Sequence, residues 1–202
     1  MNKICLFGDF FTDGQYGRLP TTIIPSIFSK FEISLYIPYI LDPKTTNHIN
    51  SCSPSTKVIP WSDSHHEFSS YPFSVDDLKI TSSDFYHLVY QHARLMRQVS
   101  DPSFSNELLS LYGSIQFWHD TLRLNKIEIA FSMHPPHFAY DYTFFLACKS
   151  LGIPLRCFSP ISLLPERKYI FDLINKTPYD LSDFNPLDAI AINASTIKSE
   201  AK

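Results

Sequence analysis

The sequence predicts an α/β fold: a Rossmann-like, mostly parallel sheet with helices on both faces. Three observations predict it. Short apolar runs closed by Gly or Pro alternate with segments of helical period. Residues 127–159 read strand, helix, strand over about thirty residues, the length of a βαβ unit and hence of parallel pairing. Finally, 44% hydrophobic and 15% aromatic residues in 202 suffice for a sizeable core.

The elements follow in order. KICLFG (3–8) is a buried first strand that stops at Gly8. Residues 9–22 hold two of the five glycines and read as a loop. IPSIFSKF (24–31) is a short helix, and EISLYIPYIL (32–41) a strand whose Ile33, Leu35, Ile37 and Tyr39 alternate. Pro38 marks that strand's end or an edge. Residues 42–76 are rich in Ser, Thr, Asn, His and Pro, and are expected to form a long loop excursion holding one short strand, KVIPW.

Helical period begins at Ser82, with Phe85, Leu88, Val89, His92, Leu95 and Met96 on one face. Asp101-Pro102 predicts an N-cap and first turn for a second helix carrying Leu108, Leu111, Tyr112, Ile115, Trp118 and Leu122 to about Asn125. IEIAFS (127–132) is a strand, Pro136–Leu151 a helix closed by Gly152, and residues 154–159 a strand. RKYIFDLI reads as a strand or a helix start. The organisation predicted is a single domain over 1–176 and an irregular tail over 177–202.

Composition excludes some functions. The net charge of −3, with no basic cluster longer than Arg94–Arg97, argues against nucleic acid. No stretch approaches 18 apolar residues, so no transmembrane segment is expected, and the opening apolar run is too short for a signal peptide. Cys5, Cys52, Cys148 and Cys157 form no CxxC pair, and three lie in apolar runs, as reduced thiols of a cytoplasmic protein would. At 18% the charged fraction is low, which fits either cover by a partner domain or chain or a compact monomer with a Ser/Thr/Asn surface.

FSMHPPHFAYDY (131–142) carries the densest chemistry. It lies between a predicted parallel strand and its helix, where open α/β sheets bind ligands. His137 in the first turn suits an anion or acid/base chemistry, and Asp141 a ligand hydroxyl. His134 joins them as a binding candidate. A metal would need a third or fourth ligand that no nearby Cys or His supplies, so no metal and no cofactor are expected. The competing reading is structural: Pro136 and Asp141 start a buried helix. On the first loop, Asp9, Asp13 and Arg18 are candidates for sugar or phosphate contact, and Arg167 reaches the same rim after the last parallel strand.

Residues 134–173 resemble a block of bacterial capsular and surface polysaccharide biosynthesis proteins of the glycosyltransferase type. The matching residues are Pro136, His137, Asp141, Tyr142, Ala147, Lys149, Leu151, Gly152, Ile153 and Arg167, with Cys148 interrupting the Ala-Lys pair. The resemblance implies the acceptor-side, N-terminal half of a GT-B enzyme. Its ligands would be a nucleotide sugar or glycan acceptor, and its place cytoplasmic or peripheral at the inner face of the membrane. The donor-binding half of such enzymes has no counterpart here. A fragment, a second polypeptide that completes the site, or lost catalysis would each explain that. His137 and Asp141 would be catalytic. The alternative is a non-catalytic binding or assembly module that pairs with a second chain. A remoter one rests on LFGDFFTDG (6–14), which resembles the first block of SGNH hydrolases but has Phe10 where their nucleophilic serine stands.

Overall fold

The structure, a computed structural model, describes residues 1–11, 21–61, 68, 70–96, 104–136, 139–161, 164–172, 174 and 177–178. The elements are β1 (Lys3–Phe7), α1 (Ile24–Phe28), β2 (Glu32–Ile37), α2 (Pro43–Cys52), β3 (Lys57–Val58), α3 (Val75–Leu78), α4 (Ser82–Met96), α5 (Phe104–Leu124), β4 (Ile129–Ser132), α6 (Ala139–Leu151), β5 (Leu155–Ile161), β6 (Leu164–Asp172) and β7 (Thr177–Pro178). The described strands form one sheet in the order β3-β2-β1-β4-β5-β6-β7. β1 to β5 run parallel, and β6 and β7 are antiparallel additions at one edge.

β1 is central, so both its faces are buried. Ile4 and Leu6 pack with Ile24 of α1 and Ile49 of α2, whereas Cys5 and Phe7 pack with Trp118 of α5 and Phe144 of α6. Helices therefore cover both faces. In β2 the predicted alternation breaks. The register with β1 passes from Ile33 to Leu35, which makes Ser34 a bulge and puts Ile33 on the opposite face from Leu35 and Ile37.

The described part of the 42–76 region is not the loop excursion that its polar composition predicts. Asp42 caps α2 by accepting from the Lys44 and Thr45 amides, and Pro43 opens the helix. The helix buries only Thr45 and Ile49, too few apolar residues for a helical period to show. KVIPW supplies β3: Lys57 and Val58 form the strand beside β2, and the Ile59 and Trp61 amides bond the Tyr36 and Pro38 carbonyls. Of RKYIFDLI, residues 167–172 belong to strand β6, not to a helix. The Asp101-Pro102 cap lies outside the described residues.

On the α4–α5–α6 face, Leu111, Ile115, Trp118 and Leu122 recur every three or four residues on α5 and are buried. The Ser114 and Thr143 hydroxyls share a 2.8 Å hydrogen bond between α5 and α6. Gly113 is glycine because a Cβ there would stand 1.9 Å from the Phe68 carbonyl oxygen. Lys149 Nζ of α6 bonds both oxygens of Asp84 on α4, at 2.7 and 2.9 Å. Gly152 (φ +68°) ends α6, with its N–H bonded to the Lys149 carbonyl and that of Ile153 to Cys148. Cys5, Cys148 and Cys157 are buried free thiols and Cys52 is an exposed one. Among the described residues no helix is long and apolar enough to cross a membrane.

Candidate functional site

Strand order reverses between β1 and β4. The connection leaving β1 goes to the α1 face, while that leaving β4 goes to the α6 face. The two connections diverge at the C-terminal ends of β1 and β4, the position where open α/β sheets usually bind ligands. Three of the sequence candidates, Asp9, His134 and Asp141, come to this rim.

Gly8 ends β1 at φ +101°, a backbone conformation that disfavours side chains, and a Cβ would also meet Tyr39 Cε2 at 3.3 Å and Met133 Cβ at 3.6 Å. The chain then turns, so that Asp9 Oδ1 accepts from the amides of Tyr39 (2.8 Å) and Ile40 (3.1 Å) just beyond β2. Asp9 thus ties the loop after β1 to the loop after β2.

Tyr39 is the residue that sequence reasoning missed as a site member. The alternation of 32–41 places it within the strand, but β2 ends at Ile37 and Pro38 releases the chain. Tyr39 is partly buried beside Phe7 (ring centroids 5.5 Å) and lies over the end of β1. Its hydroxyl donates to Asp141 Oδ1 at 3.0 Å. Burial, and then the Asp141 carboxylate beside it, hold the phenol far above its ordinary range. Tyr39 is therefore a neutral hydrogen-bond donor at any ordinary pH.

Asp141 is 4% exposed in the first turn of α6, where the helix dipole favours a carboxylate. His134 stacks on Tyr39, with centroids 5.6 Å apart and ring planes 8° from parallel. Its Nδ1 lies 3.1 Å from the Pro135 carbonyl oxygen. A carbonyl only accepts, so Nδ1 is the donor in this contact. Ser132 Oγ bonds the His134 carbonyl at 2.7 Å and fixes the turn leaving β4. Under this rim, Phe7 stacks on Phe144 at 4.1 Å, and Trp61 stacks on Trp118 at 5.3 Å.

His137, Asp13 and Arg18 lie outside the described residues. Arg167 falls on β6 with its side chain outside them. Among the described residues no group of three or more His, Cys, Asp or Glu could hold a metal ion. Phe10, at the position of the SGNH serine, is 1% exposed and packs edge-on against Phe158. No protein family, characterised protein or solved structure matches the chain.

The rim holds the carboxylates of Asp9 and Asp141, a phenol whose one proton is given to Asp141, and an imidazole stacked on that phenol, over an aromatic floor. Carboxylates and a phenol bond hydroxyl groups directionally, and an aromatic floor suits the apolar face of a ring-shaped ligand.

Proposed function

We propose that the chain binds a hydroxyl-rich ligand at this rim, as the acceptor-side half of a glycosyltransferase-like protein of bacterial surface polysaccharide synthesis. The ligand is a glycan acceptor, and a second polypeptide supplies the part that binds a nucleotide-sugar donor. The observation that carries this reading is the hydrogen bond from Tyr39 to Asp141 with His134 stacked on Tyr39, at the strand-order switch point. In this reading Asp141 orients the acceptor hydroxyl and His137 takes its proton, the general-base role that an inverting transfer requires. Arg18 and Arg167 reach phosphate oxygens of the donor, with Asp13 among the sugar contacts. The work is done in the cytoplasm or at the inner face of the membrane. Titration of neutral glycosides against the purified chain tests the reading. It expects a rise in thermal midpoint that Asp141→Asn abolishes, and it fails if no glycoside shifts the midpoint at millimolar concentration.

A second reading, a binding or assembly module without catalysis, is favoured by a different observation. Phe73, Val75, Tyr86, Tyr90 and Leu109 are exposed around α3, α4 and α5. Ring contacts link Phe73 to Tyr112, Tyr112 to Phe85 and Phe85 to Tyr86 across that surface. Sedimentation of the chain with and without Tyr86→Glu/Tyr90→Glu tests this surface, because the module reading expects an assembly held by it, which the double variant dissolves.

A further inference from the structure

The end of β1 is where Rossmann-like folds bring a phosphate group close to the backbone, over a glycine-rich turn and a helix N-terminus. Here that place is filled from within. Gly8 is followed by Asp9, Phe10 and Phe11, and the latter two are buried in the core. Among the described residues the next α-helix, α1, has five residues and starts at Ile24. Tyr39 and Met133 stand on either side of the Gly8 crest. Two consecutive backbone N–H groups, of Tyr39 and Ile40, converge on one point, the geometry that binds an anionic oxygen. The oxygen they hold belongs to Asp9, so the chain itself shows that an anion fits there.

We propose that Asp9 is an internal anion whose carboxylate occupies this N–H pair and closes the β1–β2 part of the rim to phosphate-bearing ligands. Asp9 is then a specificity residue: it directs the rim toward uncharged, hydroxyl-bearing ligands on the β4 side, beside His134 and Asp141. This rests on the ligand-binding reading of the rim given above, and it adds what the rim refuses. A phosphate competing for the N–H pair meets an acceptor already held at 2.8 and 3.1 Å, and a like charge next to it.

The test uses the full chain and inorganic pyrophosphate, followed by the backbone amide signals of Tyr39 and Ile40 and by thermal midpoint. Asp9→Ala frees both N–H groups. Asp9→Asn keeps an oxygen acceptor on them without the charge. The proposal expects pyrophosphate to leave the two amides unmoved in the wild-type chain and in Asp9→Asn, and to bind Asp9→Ala at least roughly tenfold more tightly, the worth of one charge-assisted hydrogen bond. It is overturned if pyrophosphate moves those amides in the wild-type chain, a result that does not depend on any variant folding. It is equally overturned if folded Asp9→Ala gains no affinity, or if Asp9→Asn gains as much. Neutral methyl glycosides titrated in parallel test the rim reading separately. Their failure to bind leaves the pyrophosphate result to stand or fall alone.

Discussion

Tyr39 and Asp141 are 102 residues apart in the chain, and their side chains meet in a 3.0 Å hydrogen bond over the C-terminal end of β1. The bond joins the loop after β2 to the first turn of α6, at the place where the strand order reverses. Tyr39→Phe removes only the hydroxyl and keeps the ring that His134 and Phe7 pack on. A buried carboxylate that loses such a donor costs about 1.5–3 kcal/mol. We expect that loss in urea unfolding, together with weaker glycoside binding. Unchanged stability would mean the bond contributes nothing.

The same phenol sets an alkaline limit. Burial first, then Asp141, raise its folded-state pKa, so the folded chain keeps a proton that the unfolded chain releases. Stability from Tyr39 is therefore full below the ordinary tyrosine value of about 10 and is lost as pH rises above it. Tyr142 adds in the same direction: burial, and then Asp84, push it up to about 12. Unfolding free energy measured against pH should fall above about pH 10, and less steeply in Tyr39→Phe. A flat profile there would contradict the assignment.

The Asp84–Lys149 pair acts at the other end of the scale. Burial alone would raise the Asp84 carboxyl, but the Lys149 ammonium and the Thr81 donors outweigh it and hold the group below its usual range. Its contribution is present above the ordinary aspartate value of about 4 and is lost as pH falls below it. Lys149→Met leaves a carboxylate that is 8% exposed without its cation. Because Lys149 is 42% exposed and screened by water, the expected cost at neutral pH is roughly 1–2 kcal/mol, not that of a fully buried pair. The deficit should shrink in acid. One independent of pH would point to packing rather than charge.

Gly113→Ala separates a contact from a propensity. Alanine favours the helix by about 1 kcal/mol, but its Cβ would lie 1.9 Å from a backbone oxygen that cannot rotate away. The contact should win, lowering stability by about 2 kcal/mol and the thermal midpoint by roughly 4–8 °C. Gly152→Ala meets nothing within 4 Å and carries only the strain of φ +68°, so it should cost about 1 kcal/mol. Equal effects would show that the Phe68 contact is not rigid.

The parts of the fold that announce themselves in the sequence are those buried by local pattern. KICLF, IEIAFS and the α5 stripe of Leu111, Ile115, Trp118 and Leu122 are dense in apolar residues and needed no long-range knowledge. α2 stayed hidden because Thr45 and Ile49 are all that it buries, although Asp42-Pro43 signals its start. The bulge at Ser34 left no local mark, since which face a strand residue takes depends on the register with β1. At the rim, Asp9, His134 and Asp141 could be named because each follows or precedes a recognisable strand end. Tyr39 could not, because its role comes from contacts with residues far along the chain. The one signal was Pro38, which ends β2 and frees the next residue to turn over β1.

The most direct test of the rim as a ligand site is an amide chemical-shift titration of the full chain with a panel of neutral methyl glycosides. The account predicts saturable shifts at Gly8, Tyr39, Met133, His134 and Asp141, greatly reduced in Tyr39→Ala. Shifts confined to the Phe73–Tyr86 surface of α3 to α5, or none with any glycoside, would contradict it.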